Sequence, residues 1–230
     1  MPADPTRKAV QKRQIAAGAQ GNGSILFDAV HAAPSEGIAF DVWHDREHLP
    51  ALRATLPGAA EQRYASASRH SLVSIFELPQ GTDASRALSA AATVTAPAGT
   101  VSRIERFVAV PMLAQLRADA GELATLPARA AIAYPVFFGV PPEHEADFDG
   151  WYDEEHLPIL LGCPQWLGCR RFKLQGAHAQ GHTHLAMHYL QDLRALQSPE
   201  RDAARDTPWR DRLAAGAWFR GDYRVYHRLA

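Results

Sequence analysis

Two glutamate–histidine pairs, Glu47-His48 and Glu155-His156, are the residues of this chain best suited to chemistry. An imidazole with an ordinary pKa of ~6.5 takes or gives a proton near neutrality, and a neighbouring carboxylate can orient it. Both pairs sit in the same setting, FDVWHDREHLP from Phe40 to Pro50 and FDGWYDEEHLP from Phe148 to Pro158, identical at eight of eleven positions. At about 100° per residue on a helix, Phe148, Trp151, Tyr152, Glu155 and His156 share one arc of ~140°. Phe40, Trp43, His44, Glu47 and His48 do the same in the first copy. The core-facing aromatic stripe therefore carries a carboxylate and an imidazole. An unpaired buried carboxylate is costly or shifts its pKa upward, so these groups need partners or a cavity.

Two readings follow. In the functional one, His156 and His48 are general acid–base groups, with Glu155 and Glu47 orienting them. In the structural one, each Glu-His pair is a clamp, bonded to backbone or to Arg171 and Arg63. Those arginines lie at equivalent strand positions and could instead hold a substrate carboxylate or phenolate. Tyr152 is a second candidate for binding an oxyanion. Trp151 and Trp43 are candidate substrate platforms, although tryptophans so placed serve more often as core anchors.

The second half also carries His178, His182, His184 and His188. On a strand the last three fall on one face, which invites a metal or haem reading. His178 and His182 lie in a Gly/His-rich loop, however, and no carboxylate or cysteine stands at ligand spacing, so no metal site is expected. No nucleotide-binding loop, Gly-x-Ser-x-Gly or His-Glu-x-x-His motif is present.

The elements that must position the motifs repeat with them. From Phe40 over Phe148 the copies align at an offset of 108, through Arg63 over Arg171. SLVSIFEL (71–78) then resembles HLAMHYLQ (184–191) at an offset of 113, the difference falling in QGAHAQGHTH, a longer hairpin loop. This pattern indicates a tandem duplication. Each copy reads β-α-β-β-α-β, the ferredoxin-like order. The dense apolar run AIAYPVFFGV (131–140) is a strand buried on both faces. Pro50 and Pro158 should stop the motif helices. LRALQSPERDAARDTPWRDRL supplies a second, broken helix, and WFRGDYRVYHRL (218–229) a closing strand. The expected organisation is a flexible arm or short helix over 1–22, repeats over 23–113 and 130–230, and a helical linker over 114–129.

Of 230 residues, 47% are hydrophobic, and 24 basic against 25 acidic residues leave a net charge of −1. Nucleic acid and anionic membrane surfaces are thus poor partners. No segment approaches the ~20 apolar residues of a membrane span, and none resembles a signal peptide. Cys163 and Cys169 read as reduced, packed thiols of a cytoplasmic protein.

WYDEEHLP followed by GCPQWLGCRRF, a strand like HLAMHYL and a late TPW resembles the EthD-like branch of the dimeric α/β-barrel superfamily. The resemblance is strong over 130–230 and weaker over 24–110. It implies an α+β fold, with two ferredoxin-like repeats packed sheet to sheet as a barrel within one chain, further homo-oligomerisation being allowed but not needed. It places the active histidine at His156 and its counterpart at His48. The first copy departs from the pattern at His44 and Arg46, where the second has Tyr152 and Glu154, which favours the second half. Relatives include cofactor-free monooxygenases, lactone isomerases, polyketide cyclases and haem enzymes. The expectation is a cofactor-independent enzyme using histidine acid–base chemistry on a small hydrophobic molecule, whether aromatic, lactone or polyketide-like. A non-catalytic binding or accessory protein, or a haem or metal protein, are the alternatives.

Overall fold

The computed structural model describes residues 12–17, 19, 22–33, 38–176 and 180–229. In chain order the strands and helices are β1 (Lys12–Ala16), β2 (Ile25–Ala32), α1 (Ile38–Trp43), α2 (Leu49–Thr55), β3 (Ala60–Ala65), β4 (Ser71–Glu77), α3 (Ala84–Ala92), β5 (Val101–Arg117), α4 (Leu126–Arg129), β6 (Ile132–Phe138), α5 (Glu145–Gly150), α6 (Leu157–Leu160), β7 (Trp166–Leu174), β8 (His184–Leu190), α7 (Pro199–Ala204), α8 (Pro208–Ala214), β9 (Asp222–Tyr223) and β10 (Tyr226–Arg228). Eight strands close a barrel in the order β5-β2-β4-β3-β10-β6-β8-β7, with β7 pairing back onto β5 and β1 and β9 lying outside the ring. Every pairing around the ring is antiparallel. β5 serves both halves: it pairs with β2 through Ala109 and with β7 from Ala109 to Leu116, its register shifting between Pro111 and Leu113.

Strand residues alternate between two buried environments, which is why β6 reads as a continuous apolar run and β8 is buried along its whole length. One set fills the barrel. Phe27 stacks on Phe107 at 4.8 Å, and Phe137 meets both edge-on at 6.1 and 5.8 Å. The other set faces outward and is covered by helices. In the second half Tyr134, Val136 and Phe138 pack there with Phe148 and Trp151; in the first half Val30 and Leu72 pack with Phe40 and Trp43. The helix-covered outer face is where both motifs lie.

The barrel and its α+β class agree with the sequence reading, and several segments differ. Lys12–Ala16, expected in a loose arm or short helix, is a strand antiparallel to Leu113–Arg117. Residues 114–117, assigned to a helical linker, end the long strand β5. The connection to the second half is two 3-10 turns and the single helical turn α4. The closing segment contributes only β9 and β10 as strand. Cys163 and Cys169 are free and buried. Among the described residues no helix is long and apolar enough to cross a membrane.

The two prolines do not stop their helices. Leu49 and Leu157 keep helical angles, and Pro50 and Pro158 open α2 and α6. Each is preceded by a π-helical turn, His44–His48 and Trp151–His156, in which Leu49 N–H bonds His44 O and Leu157 N–H bonds Tyr152 O. The hydrogen-bond ladder is already offset there, so a residue without an N–H is accommodated.

Candidate functional site

The π turn decides which side chains the motif delivers. It inserts one residue into the helical repeat, so the buried positions run Phe40, Trp43, His44, His48, Leu49 and Leu52. A regular helix would instead bring in Glu47. Glu47 is exposed, which corrects its assignment to the core-facing arc. Glu155 is likewise turned aside and accepts a hydrogen bond from Thr207 Oγ1 at 2.6 Å. The imidazoles stay on the inner face, each against its motif tryptophan, with ring centroids 4.7 Å apart for Trp43–His48 and 4.5 Å for Trp151–His156. A π turn leaves a backbone carbonyl without its usual partner. In the second half Gln115 Nε2, reaching from β5, donates to Asp153 O at 2.7 Å.

The arginines clamp the motif through aspartate rather than glutamate. Arg171 is buried, pairs with Asp149 and, at 2.9 Å, with Asp153, and lies over the rings of Phe148 and Tyr152. Arg63 pairs with Asp45. Both side chains are occupied in tying a strand to the motif helix, and neither lines the cavity beside His156. Trp43, Trp151, Phe40 and Phe148 are buried core.

In the first half the imidazole has a carboxylate. His48 Nε2 donates to Asp28 Oδ2 at 2.7 Å, and Asp28 Oδ1 accepts from Arg106 Nε at 2.5 Å, with both Asp28 and His48 fully enclosed. Arg106 also donates to the carbonyls of Ala91 and Val94 at the end of α3. This buried triad holds helix, strand and helix together. The groove beside it is broad and open, between α2 and Thr93–Pro97.

In the second half the imidazole has no carboxylate. His156 Nδ1 lies 3.1 Å from Ala204 O. A carbonyl only accepts, so Nδ1 carries the proton and Nε2 keeps its lone pair. Burial, joined by the nearby Arg210 and Arg205 cations, pushes the pKa down to about 4, against the weaker upward pull of that backbone bond, and the ring is neutral at pH 7. A second chain of bonds fixes a second tautomer. Trp166 Nε1–H donates to His188 Nδ1 at 3.0 Å, so the neutral His188 carries its proton on Nε2 and donates it to Tyr152 Oη, also at 3.0 Å. Desolvation holds the His188 pKa well below the usual range. The Tyr152 hydroxyl proton is thereby left free to donate elsewhere, and burial keeps that phenol un-ionised.

These groups meet at a cavity of about 40 Å³, lined by Tyr134, Trp151, Tyr152, His156, Trp166 and His188 among others. That volume admits one or two waters. Arg201 of α7, Arg205 just past its end and Arg210 of α8 also line it. The site thus presents a hydrogen-bond acceptor (His156 Nε2), a donor (Tyr152 O–H), aromatic faces and positive charge.

Among the described residues no group of three or more His, Cys, Asp or Glu side chains could hold a metal ion, and the second-half histidines are engaged elsewhere. Both ring nitrogens of His188 are engaged; His184 Nδ1 bonds Thr183 Oγ1 at 2.9 Å and its Nε2 faces Glu145 at 3.2 Å; His182 stacks on Phe137. His178 lies outside the described residues.

Asp28, Arg106, Trp166 and the three cavity arginines escaped the sequence reading. Asp28 had a signal, a lone carboxylate inside the apolar run ILFDAV. His188 was noted for metal binding, and its alternation with Met187 and Tyr189 already turned it toward the helices.

No family model matches this sequence, and no curated protein does. Solved structures do match. An anthrone oxidase-like protein is similar over 95% of this chain and 95% of its own, at 10% identity and a TM-score of 0.61. A putative monooxygenase from Fusobacterium nucleatum subsp. nucleatum covers 90% of this chain and 93% of its own, at 8% identity and a TM-score of 0.52. A mutant chlorite dismutase from Candidatus Nitrospira defluvii in complex with cyanide covers 90% and 91%, at 11% identity and a TM-score of 0.50. At these identities the likeness establishes the fold, a dimeric α/β barrel of ferredoxin-like units.

Proposed function

We propose that this chain is an enzyme that moves a proton on a small aromatic, lactone or polyketide-like molecule, using His156 as base and no bound cofactor. The supporting observation is the fixed pair of tautomers around one cavity: an imidazole that can only accept and a phenol free to donate. In this reading a substrate C–H beside a carbonyl gives its proton to His156 Nε2. The electron pair moves onto the carbonyl oxygen, which Tyr152 O–H stabilises as charge develops. Return of the proton to a different carbon isomerises the substrate, with no net redox change. His48, engaged by Asp28, acts in the fold instead. The chain is read as a tandem duplication of the EthD-like branch in which the second copy carries the chemistry.

The test is deuterium uptake from D2O into enolisable aryl ketones and aryl lactones, followed by NMR. The wild type is expected to exchange. His156→Gln should lose about 100-fold or more, and Tyr152→Phe about 10-fold or more, with melting temperatures near wild type. Full exchange in His156→Gln would assign the base elsewhere. Binding without exchange would make the chain a small-molecule carrier.

A further inference from the structure

Resting on the second-half site as the place of chemistry, we infer that its ligand is a planar aromatic carboxylate, with Arg201, Arg205 and Arg210 as the anion-binding rim. Arg201, Arg205 and Arg210 all line one cavity, and among the described residues no aspartate or glutamate lines it. Elsewhere in this molecule arginines near the core are matched with acids: Arg170 with Glu77, Arg171 with Asp149 and Asp153, Arg106 with Asp28 and Arg224 with Glu105. Among the described residues the rim has no such match. Among the described residues Arg201 and Arg205 form no ion pair, and Arg210 reaches only its neighbour Asp211, at 3.8 Å. Arg210 instead lies over the Phe219 ring, 5.9 Å from its centroid, and Arg201 approaches the Tyr134 hydroxyl.

The cavity walls supply the other half of the recognition. Tyr134, Trp151, Trp166, Phe219 and Tyr223 offer ring faces and edges. Trp151 Nε1–H is buried without an acceptor among the described residues. Apolar walls with a few convergent polar groups are the usual form of a small-molecule site, and guanidinium forks match a carboxylate in geometry as well as charge. The outer wall is the adjustable one. Tyr223 is 52% exposed and rests on Tyr134 by stacking, at 6.2 Å. Arg205 is exposed too. In this inference the ligand enters by displacing these two exposed side chains, which lie outside the eight-strand ring. The carboxylate then lies under the arginines, and the ring reaches inward to Tyr152 and His156.

The experiment titrates the full chain with 1-naphthoate and with its neutral isostere 1-naphthamide, reading tryptophan fluorescence and calorimetry. The acid is expected to bind at least about 10-fold tighter than the amide, and more weakly as salt rises. In Arg201→Gln/Arg205→Gln that margin should vanish through loss of acid affinity, the amide being unaffected. His156→Gln should keep the margin while losing proton exchange, which separates this inference from the catalytic one. Equal affinities for acid and amide in the wild type would overturn the anion rim and leave the base assignment standing. So would a margin that survives in the double variant, and absence of binding by either compound to millimolar concentration would overturn the aromatic-acid class altogether.

Discussion

The two halves present the same helix, the same π turn and the same Trp–His contact, yet they use the imidazole in opposite ways. His48 is locked to Asp28, and Asp28 to Arg106, with no solvent reaching the contact. At the position 108 residues after Asp28 stands Val136, and His156 is left with a backbone carbonyl on one nitrogen and the cavity on its other side. One strand residue therefore separates an imidazole enclosed with a carboxylate from one that borders a cavity. The motif alone carries no such information, because its helix supplies only one of the imidazole's two environments. The opposing strand supplies the other.

The largest effect should come from breaking the first-half triad. Asp28→Ala leaves Arg106 charged and His48 unpaired in a sealed environment, and removing one member of a buried pair costs ~3–5 kcal/mol. Val136→Ala, at the matching place in the second half, deletes two methyl groups and should cost ~1–2.5 kcal/mol. Urea midpoints of the two variants measure the contrast. Comparable losses would mean that the triad contributes no more than ordinary packing.

Acidification sharpens the comparison from the other side. His156, at about 4, and His188, also held low by burial, stay neutral in the folded protein while their unfolded counterparts protonate near ~6.5. The stability tied to their neutral forms is complete above ~6.5 and is lost as the pH falls toward 4, at up to ~1.4 kcal/mol per unit for each histidine. His44 adds in the same direction from the first half. His156→Gln should therefore flatten the drop in unfolding free energy between pH 7 and pH 5. A drop as steep as wild type would place the acid sensitivity outside this site.

How far the sequence reached depends on the kind of information each feature needs. The barrel was legible because doubly apolar strands and a repeated β-α-β-β-α-β order leave few other ways to bury both sheet faces. The aromatic stripe was legible for the same reason. The facing of Glu47 and Glu155 was not, because an α-helical wheel assumes about 100° per residue and the π turns that contain them add one residue. The role of Arg171 and Arg63 was half legible: the strand positions were right, and the partner proved to be aspartate. Arg201, Arg205 and Arg210 could not be found at all. The sequence places them only in a second, broken helix, and the fold brings that segment to the cavity beside His156.

The smallest effect tests the π turn itself. Were the motif a regular helix, Glu47 and Glu155 would be equivalent inward-facing carboxylates, and removing either would disturb the core. In the structure Glu47 is exposed, while Glu155 accepts from Thr207, whose hydroxyl oxygen also caps α8 by accepting from Arg210 N at 3.2 Å. Glu155→Ala thus loosens the hydroxyl that orients the start of the helix carrying Arg210. The expected cost is ~1 kcal/mol, the scale of one hydrogen bond to a charged acceptor in a partly exposed setting. Glu47→Ala should stay within ~0.5 kcal/mol of wild type, as surface substitutions do. Thermal unfolding of the two single variants reads the difference directly. Because Arg210 lines the cavity, Glu155→Ala should also weaken 1-naphthoate binding by a factor of about 2–5, a perturbation of ~0.4–1 kcal/mol. Glu47→Ala should leave it unchanged. Equal costs for the two variants would return both glutamates to a regular helical face and remove the physical reason that the imidazoles alone point inward.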